Sequence, residues 1–451
     1  MKIAFHTLGC KVNQYESQAL KEKFIKKGYQ IVGEDEFADV YVINTCTVTG
    51  LSDRKSRQFI RRVKKINPDS ITAVIGCYAQ VSPEEAKNIE GVNIVAGTNE
   101  KNRLPDYIEE YARTKGVECH IKELEQLTEY EETGIITSMD SRTRAYIKVQ
   151  EGCNKFCSYC IIPFARGTVR SRAKEEIIKE AQNLIRQGFR ELVLTGINTA
   201  LYGMENRDTG GLMKDLEEVY GIEDIVNSLN ELPGDFRIRL GSLEPNVIHR
   251  EYVKRLLKYE RLCPHMHLSL QSGSDRILKE MNRSYNREEY LQLVNILKKH
   301  DPGYGITTDL IVGFPGETEE DFGESCRLVE EAGFCRVHVF KYSKREGTRA
   351  ASMKGHIAPD VKARRSERLM RIAEETARKF FLSQLGSERR VLFERFDEKT
   401  GLLEGLSDNY IKVFCRGSRD LEGKFMITEL FELCRDGVKG NIREIKPKTI
   451  R

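Results

Sequence analysis

The sequence lacks the features of membrane proteins, exported proteins and strongly charged proteins. Within its 451 residues no apolar run reaches the roughly 20 residues that a membrane-spanning helix needs. Its start leads directly into a strand-like run and has no signal-peptide pattern. The formal net charge is only +4, so overall charge does not by itself indicate a nucleic-acid partner. We therefore expect a cytoplasmic protein without a membrane or DNA partner.

Cysteine is the residue type that carries the most information. The chain has twelve cysteines, and without an export signal they favour a reducing compartment in which thiolates can serve as ligands. Cys153, Cys157 and Cys160 have the spacing C-x3-C-x2-C. Three thiolates without a nearby fourth ligand suit a 4Fe–4S cluster with one iron open to a small molecule. The alternative is a zinc site with a distant fourth ligand, which the strand, loop and helix pattern around these cysteines disfavours.

Residues 1 to about 135 alternate short apolar strands with helices, which predicts a parallel sheet covered on both faces. The predicted strands are 2–8, 39–45, 70–76 and 92–96, and the predicted helices are 13–27, 52–66 and 83–89. Cys10, Cys46 and Cys77 follow the first three strands. Ligand sites in open parallel sheets lie at the carboxyl ends of the strands, so these thiols can converge on one cluster. Three buried structural cysteines fit the pattern equally well.

A second series of six βα units follows an acidic, irregular segment and predicts a partial (β/α)6 barrel of TIM type. After a basic helix at residues 360–384, alternating residues predict a small β-barrel. The predicted barrel strands are 145–150, 191–195, 237–241, 266–270, 307–312 and 336–340, and the helices between them are 174–187, 215–230, 246–257, 287–299 and 319–331. The predicted domains are 1–112, a linker at 113–138, the barrel with its exit helix at 139–384, and 385–451.

The C-x3-C-x2-C spacing is the signature of the radical S-adenosylmethionine (SAM) superfamily, so the cysteine loop resembles the SAM-cleaving loop of those enzymes. The resemblance implies that Tyr159 packs near the adenine of SAM. It also implies that turns at the ends of successive barrel strands contact the rest of SAM. The predicted contacts in these turns are Thr195, Gly196, Ser242, Glu244, Gln271 and Gly313.

Motifs along the whole chain resemble the radical SAM methylthiotransferases. They are TLGCKVNQYES from residue 7, NTCTVT from residue 44, GCYAQ from residue 76 and IPFARG from residue 162, and the C-terminal module resembles the RNA-binding TRAM domain of this family. The resemblance implies two 4Fe–4S clusters. One on Cys153, Cys157 and Cys160 would be catalytic and cleave SAM to a 5′-deoxyadenosyl radical, and an auxiliary one on Cys10, Cys46 and Cys77 would carry the sulfur that a second SAM methylates.

The implied partners are tRNA and a reducing protein such as flavodoxin or ferredoxin. The amino-acid sequence around Cys10 most resembles that of the branch that acts on N6-threonylcarbamoyladenosine at position 37, next to the anticodon. The alternatives within the family are isopentenyladenosine in tRNA and an aspartate of a ribosomal protein. An alternative of another class is a non-enzymatic iron–sulfur protein that binds RNA or transfers electrons, which would not cleave SAM.

Local charge gives two candidate RNA surfaces. Residues 54–65 contain seven basic residues and no acidic one, which predicts phosphate contacts, with a solvated helix face as the alternative. Arginines at helical spacing on the exit helix form either an RNA stripe or salt bridges; they are Arg364, Arg365, Arg368 and Arg371. In the C-terminal module four aromatic residues either stack on bases or form its core; they are Phe396, Tyr410, Phe414 and Phe425.

The remaining cysteines and histidines show no ligand spacing. Six cysteines are interpreted as structural; they are Cys119, Cys263, Cys326, Cys335, Cys415 and Cys434. His265 and His267 alternate on one predicted strand and are expected to pack in the barrel interior.

Overall fold

The computed structural model describes residues 1–47, 50–134, 136, 143–205 and 219–443. It contains a six-stranded sheet, a curved open barrel and a closed five-stranded barrel along the chain. This confirms the predicted α/β class, with a parallel-sheet domain, a partial TIM-type barrel and a small C-terminal β-barrel. Among the helices that the structure describes, none is long and apolar enough to cross a lipid bilayer.

The N-terminal domain is a parallel sheet with helices on both faces. Its strands are β1 (Lys2–Thr7), β2 (Gln30–Val32), β3 (Val40–Thr45), β4 (Ile71–Gly76), β5 (Ile94–Ala96) and β6 (Glu118–His120), in the order β2-β1-β3-β4-β5-β6. Its helices are α1 (Lys11–Lys26), α2 (Gly50–Ile66), α3 (Cys77–Val81), α4 (Pro83–Lys87) and α5 (Leu104–Thr114). Separate apolar clusters cover the two faces of the sheet, as the near-continuous apolar strands predict.

The sheet has two strands that the sequence pattern did not predict. Both β2 and β6 are only three residues long, too short for a periodic pattern to be recognised. The segment 113–138, predicted as a linker, contains β6, which pairs in parallel with β5. Part of that segment therefore belongs to the sheet, and its residues 135, 137 and 138 lie outside the described residues. The domain limits stay a prediction.

The central domain is an open barrel of parallel strands surrounded by helices. The strands of this domain are β7 (Arg144–Lys148), β8 (Gln150–Glu151), β9 (Arg170–Ser171), β10 (Glu191–Thr195), β11 (Arg237–Leu240), β12 (Ser242–Leu243), β13 (His265–Leu268), β14 (Gly305–Val312) and β15 (Arg336–Lys341). Of these, β8 and β9 form a separate antiparallel pair outside the parallel barrel. Its helices are α6 (Ile162–Arg166), α7 (Lys174–Arg186), α8 (Ile222–Asn230), α9 (Arg250–Leu256), α10 (Asp275–Glu280), α11 (Arg287–His300), α12 (Glu319–Ala332), α13 (Arg349–Ser352) and the exit helix α14 (Pro359–Ser383). The first residues of the predicted helix 215–230 lie outside the described part of the chain.

The barrel strands form two sheets that meet beside β11. One sheet has the order β11-β10-β7 and the other β12-β13-β14-β15. Main-chain hydrogen bonds connect them, because Ile238 accepts one from Cys263 at 2.8 Å and donates one to Arg261 at 2.7 Å. The six principal strands therefore follow one another around an open barrel, and their carboxyl ends point to the same side.

The C-terminal strands β16 (Glu388–Asp397), β17 (Leu402–Ser407), β18 (Lys412–Arg416), β19 (Phe425–Cys434) and β20 (Gly437–Ile442) close into a barrel. This small barrel packs against the amino ends of the central strands. Arg237 and Arg239 donate to its main-chain carbonyls and share the buried carboxylate of Glu191. Tyr410 stacks on His265 with ring centres 4.3 Å apart. The C-terminal barrel therefore covers the end of the central barrel opposite the cysteine loop.

Packing decides several of the open alternatives. Phe414 is buried and Phe396 packs against the C-terminal core, while Tyr410 lies in the interface with the central barrel. On α14, Arg365 pairs with the buried carboxylate of Glu317 at 2.6 Å. Arg364 and Arg368 also form ion pairs, with Asp360 and Glu319 respectively. Salt bridges thus account for three of the four arginines that were candidates for an RNA stripe.

Candidate functional site

Cys10, Cys46 and Cys77, here called the strand-end cysteines, follow β1, β3 and β4, which are adjacent in the sheet. The turn before Cys10 approaches Cys46 closely. At Gly9, where φ is +105°, a Cβ atom would lie 2.6 Å from the Cβ of Cys46 and 2.9 Å from its sulfur. Only glycine allows this combination of positive φ and close contact. Burial raises the pKa of Cys77, and the charge of the nearby Cys10 raises it further.

Side-chain hydrogen bonds hold the three strand ends together. Asn13 on α1 donates to the carbonyl of Leu8 at 2.7 Å and to that of Thr45 at 3.0 Å. Asn44 donates in turn to the carbonyl of Asn13 at 3.0 Å. The Thr45 hydroxyl donates to the carbonyl of Ile75 at 2.6 Å and so connects the ends of β3 and β4. Because these polar groups are buried, their hydrogen bonds fix the relative positions of the cysteines.

Cys153, Cys157 and Cys160, here called the loop cysteines, lie in the segment between β8 and α6. The loop begins at Gly152, where φ is +73° and a Cβ atom would lie 1.7 Å from the carbonyl oxygen of Thr168. The loop is anchored by the hydrogen bond from the Cys153 N–H to the carbonyl of Gly167, at 3.0 Å. A side chain at position 152 would therefore displace the loop and its cysteines.

The loop cysteines share one electrostatic environment. Burial raises the pKa of Cys153 and of Cys160 to about 12, and each of these thiols is also affected by the charge of Cys157. Burial likewise raises the pKa of Cys157, while the nearby Arg283 lowers it. Mutual repulsion of this kind means that the three sulfurs are near neighbours. A cation that coordinates them would stabilise the thiolates, since coordination deprotonates a thiol.

The donor sets fit a multi-iron cluster better than a single ion. Within the described residues, no three His, Cys, Asp or Glu side chains are grouped closely enough to hold one metal ion. A cluster bound by cysteine thiolates on different irons does not require the sulfurs to share one coordination sphere. Three neighbouring thiols on a fixed loop therefore suit an iron–sulfur cluster with one iron left open.

Two of the predicted SAM contacts meet through a buried arginine. Arg283 donates to the Tyr159 hydroxyl and to the Glu244 carboxylate, both at 2.8 Å. Glu244 also accepts from the Asn198 side chain at 2.8 Å. The loop, the turn after β10 and the turn after β12 are thereby connected. Arg283 was not predicted, because nothing in its local sequence distinguishes it from a surface arginine.

A cavity of about 200 Å³ lies beside the loop cysteines. It is lined by Tyr159, Cys160 and Gln271, together with Asp309 and Lys341 from the last two barrel strands. Three residues that were predicted from strand ends and from the loop therefore face one space. The cavity lies at the carboxyl side of the barrel, where barrel enzymes bind their substrates.

The other predicted SAM contacts lie at the strand ends. Thr195 ends β10 and its carbonyl accepts from the Val149 N–H at 2.9 Å, and Ser242 begins β12. Gly196 lies against Gln150, whose side-chain oxygen would be 2.9 Å from a Cβ at this position. Gly313 lies beside the Lys362 side chain of α14. Contact of these four residues with SAM stays a prediction.

A fully buried group of charged side chains connects the two cysteine sets. Arg166, at the end of α6, donates to Glu16 on α1 at 2.9 Å and to Glu151 on β8 at 2.5 Å. Lys148 pairs with the same two carboxylates, at 2.8 and 2.5 Å, and Lys101 pairs with Glu16. Burial raises the pKa of Glu16, but Arg166, Lys101 and Lys148 outweigh it and hold that pKa well below its usual range.

Sequence reasoning missed this group, here called the junction cluster (Glu16, Lys101, Lys148, Glu151 and Arg166). Arg166 and Glu16 are 150 residues apart in the chain, so no local pattern pairs them. The available signal was the presence of Lys148 on β7 and Glu151 on β8, next to the buried apolar residues Ile147 and Val149. Buried charges are rarely tolerated without partners, so such residues imply unseen counter-charges.

The interior of the barrel carries further polar groups. His267 contacts the Thr307 hydroxyl at 3.0 Å and the Asp309 carboxylate at 3.3 Å. The ring of His338 lies 6.2 Å from that of His267. Burial lowers the pKa of His338, and the charge of Lys11, next to Cys10, lowers it further. His265 and His267 therefore face the interior as expected.

The basic helix α2 is amphipathic. Phe59, Ile60 and Val63 are buried against the sheet. Its exposed basic side chains are Arg54, Lys55, Arg61, Arg62 and Lys65. The helix follows Cys46 in the chain, so a positive surface lies on the same domain as the strand-end cysteines. Arg62 pairs with Asp35, which reduces its availability for phosphate.

Two families of known proteins match two regions of the chain. The radical SAM superfamily matches residues 147–329, and the uncharacterized protein family UPF0004 matches residues 2–97. The threonylcarbamoyladenosine tRNA methylthiotransferase MtaB of Bacillus subtilis is 41% identical over 434 residues, which are 95% of this chain and 94% of that protein. The tRNA-2-methylthio-N(6)-dimethylallyladenosine synthase of Caldicellulosiruptor saccharolyticus is 35% identical, over 97% of this chain and 91% of that protein.

Among solved structures, the radical SAM methyltransferase TsrM of Kitasatospora setae, with cobalamin and a 4Fe–4S cluster bound, has a TM-score of 0.55 at 15% identity. The match covers 78% of this chain and 76% of TsrM, and it shows a shared fold. The radical SAM match implies SAM and a 4Fe–4S cluster as cofactors. With near full-length relatives above 30% identity, the chain belongs to the radical SAM tRNA methylthiotransferases.

Proposed function

We propose that this enzyme attaches a methylthio group to C2 of N6-threonylcarbamoyladenosine at position 37 of tRNA. The observation that supports methylthio transfer is the presence of two separate sets of three cysteines, one in a loop and one at three adjacent strand ends. The substrate is proposed from the relatives. Relatives named for this substrate are 41%, 39%, 37% and 36% identical to the chain. The relatives named for dimethylallyladenosine are 34–36% identical.

The proposed cofactors are two 4Fe–4S clusters and SAM in two roles, as methyl donor and as radical source. The loop cysteines would hold one cluster and the strand-end cysteines the other. Cluster-bound SAM supplies a radical, which is needed because the C2–H bond of adenine is not acidic enough for a side-chain base to open, and such chemistry belongs to the cofactor. An external one-electron donor of flavodoxin or ferredoxin type would be required.

The protein itself would orient and enclose the reactants. Tyr159 and Glu244 would be held beside SAM by Arg283, which bonds both side chains. Because Arg283 is almost fully buried, it keeps these two groups in one arrangement. The junction cluster would hold the N-terminal sheet against the cysteine loop, so that the two cysteine sets keep a constant separation.

The cavity beside the loop cysteines contains polar side chains that could contact a substituent on the target adenine. The threonylcarbamoyl group carries a carboxylate, a hydroxyl and amide groups, whereas a dimethylallyl group is apolar. Asp309 and Lys341 line the cavity, and His267 contacts Asp309 at 3.3 Å. Buried polar groups need polar partners, and Asp309 and Lys341 could provide them for the threonylcarbamoyl group. The rest of the lining is largely apolar, with Ile161, Ile162, Ile311 and Phe340.

The nucleic-acid contact is proposed for α2. Its exposed basic side chains lie on the domain that carries the strand-end cysteines, and basic residues on one helix face suit the phosphate backbone of RNA. The C-terminal barrel lies at the far end of the central barrel. Any contact that it makes with tRNA would therefore involve a part of the molecule distant from the target base.

The test is nucleoside mass spectrometry of tRNA from a strain that lacks the gene. We expect loss of the methylthio derivative of threonylcarbamoyladenosine and accumulation of the unmodified nucleoside. Complementation with the wild-type gene should restore the product, and Cys157→Ala should not. An unchanged level of this derivative would overturn the proposal, and loss of the dimethylallyladenosine derivative instead would assign the enzyme to that substrate.

A further inference from the structure

Arg166 reaches from the loop cysteines to the strand-end cysteines. It lies six residues after Cys160, at the end of α6, and its Nε atom lies 3.3 Å from the sulfur of Cys77. Its side chain is completely buried. The remaining nitrogens are used by Glu16, Glu151 and Asn13, the last at 2.7 Å. Every nitrogen of this guanidinium therefore has an assigned partner, and one of those partners is a candidate cluster ligand.

The junction cluster carries a surplus of positive charge next to Cys77. Its three cations face two carboxylates, and Arg170 acts on Glu151 as a further cation. Glu131 lies nearby, but burial raises its pKa to about 7, so it supplies only part of a negative charge at neutral pH. A buried surplus of positive charge is costly unless an anion compensates it. A thiolate on Cys77 would provide that compensation.

Geometry distinguishes this arrangement from an ordinary buried salt bridge. Lys148 and Lys101 already supply two charges to the carboxylates of Glu16 and Glu151. Arginine adds a planar fork whose Nε–H points in a different direction from its two terminal nitrogens. Here the additional donor, Nε–H, points at the sulfur of Cys77. A lysine at this position could not donate to that sulfur and pair with the carboxylates at the same time.

We propose that Arg166 is a positioning residue for the strand-end cluster, donating its Nε–H to the Cys77 thiolate and raising the reduction potential of that cluster. The inference rests on the second cluster of the proposed function. Reduction adds negative charge to a cluster, so a hydrogen bond from a cation to a ligand sulfur stabilises the reduced state more than the oxidised one. Charge-assisted hydrogen bonds are roughly twice as strong as neutral ones.

The same residue connects the two sites mechanically. The loop cysteines precede α6 directly, and Arg166 ends this short helix. Its bonds to Asn13 and Glu16 on α1 therefore tie the segment after Cys160 to the helix that begins after Cys10. A change at Arg166 should affect the strand-end cluster even in a protein whose loop cysteines have been removed.

The experiment uses the full chain with Cys153→Ala, Cys157→Ala and Cys160→Ala, which leaves only the strand-end cysteines as proposed ligands. After anaerobic reconstitution we would measure iron content, the electron paramagnetic resonance spectrum of the reduced cluster and its midpoint potential. In this background Arg166→Lys keeps the positive charge but loses the fork. We expect about four irons per chain, a more negative midpoint potential and an altered spectrum.

One further variant serves as a control and another as a second test. Arg172→Lys changes another buried arginine, which pairs with Glu132 and Glu180, and it should leave the potential unchanged. Arg166→Met combined with Glu16→Gln removes a cation and an anion together, so the net charge of the junction cluster is unchanged and Glu151 keeps Lys148 as its counter-charge. This variant should also shift the potential to more negative values. This double variant is the test if Arg166→Lys does not fold.

The outcomes separate the inference from the proposed function. If the background protein holds no cluster although Arg166 is intact, the second cluster is refuted and the inference with it. If the background protein holds a cluster, but its potential and spectrum are the same with Arg166→Lys or with the double variant, the role of Arg166 is refuted and the second cluster stands.

Discussion

The loop cysteines and the strand-end cysteines differ in how much of the fold each set needs. The loop set lies within eight residues, and one short segment anchored at Gly152 and Gly167 places it. The strand-end set takes one residue from each of three strands and requires the order β1-β3-β4 to bring them together. The first set is therefore encoded locally, and the second depends on tertiary structure.

This difference means that the two sets can be disturbed separately. They lie on different domains, and the junction cluster is a buried contact that connects them. Changes confined to one set should therefore leave the geometry of the other intact.

The largest effects are expected from the cysteines themselves. Cys157→Ala should abolish both SAM cleavage and methylthio product, because it removes a ligand from the loop set. Cys10→Ala should keep SAM cleavage and lose the product. Chromatography of 5′-deoxyadenosine and mass spectrometry of the tRNA nucleosides measure the two activities. Cys335→Ala, at a buried cysteine distant from both sets, is the control and should keep both.

Equal loss of SAM cleavage in Cys10→Ala and Cys157→Ala would show that the two sets do not work independently. Product formation by Cys10→Ala would show that the strand-end set is not an essential ligand set.

Glycine substitutions should disturb the two cysteine sets separately, with smaller losses of activity than the cysteine substitutions cause. Gly152→Ala brings a Cβ atom to 1.7 Å from the Thr168 carbonyl oxygen, and Gly9→Ala brings one to 2.6 Å from the Cβ of Cys46. Both positions also have positive φ, where strain costs on the order of 1–3 kcal/mol. Gly152→Ala should lower SAM cleavage strongly, whereas Gly9→Ala should lower product formation and spare SAM cleavage.

The control for this pair is Gly116→Ala, where a Cβ atom would meet no other atom within 4 Å. It should leave both activities unchanged. A Gly9→Ala protein with full product formation would contradict the close approach of the first turn to Cys46.

The difference between the loop cysteines and the strand-end cysteines also explains how much of this site the sequence predicts. The loop set is visible in its spacing, and the strand-end set is visible because each cysteine ends an apolar strand. Arg166 and Arg283 were not predictable as site residues, since their partners Glu16 and Glu244 come from other parts of the chain. Long-range pairing of buried charges is set by packing, which local patterns do not encode.

The fold shows the same division. The longer parallel strands were predicted within a few residues, because their apolar runs are continuous. The sequence did not indicate that the C-terminal barrel packs at the amino ends of the central strands. That contact depends on Arg237 and Arg239 donating to main-chain carbonyls, which carry no sequence signal.

A smaller effect is expected from the two basic helices, and it tests which side of the molecule binds RNA. Arg61→Gln with Lys65→Gln on α2 removes two exposed charges next to the strand-end domain. Arg364→Gln with Arg368→Gln on α14 removes two that are already ion-paired. We expect the α2 variant to weaken tRNA binding several-fold and the α14 variant to change it little.

Binding titrations at several salt concentrations measure this difference. Each lost phosphate contact should reduce the slope of log K against log salt by about 0.7–0.9. A larger change of slope for the α14 variant than for the α2 variant would show that the exit helix contacts the RNA.

The smallest effect is expected at the far end of the barrel, where His265 stacks on Tyr410. Burial, followed by the charge of Arg239, holds the pKa of His265 well below its usual value. His267 and Lys11 lower it further, and Glu191 opposes them. The folded state therefore binds a proton less readily than the unfolded state, whose histidine pKa is about 6.5. Stability is complete above that pH and falls as the pH decreases below it.

Thermal unfolding of the apoprotein between about pH 7.5 and 5.5 measures this dependence. One neutral buried histidine costs up to about 1.4 kcal/mol for each pH unit below its unfolded pKa. His265→Phe should retain the stacking and flatten the pH dependence, whereas His356→Gln, at an exposed histidine, should not. Because His265 begins β13, at the end of the central barrel opposite the cysteine loop, His265→Phe should also leave SAM cleavage and product formation in the same ratio as in the wild type. A changed ratio would mean that the C-terminal barrel acts on one cysteine set more than on the other.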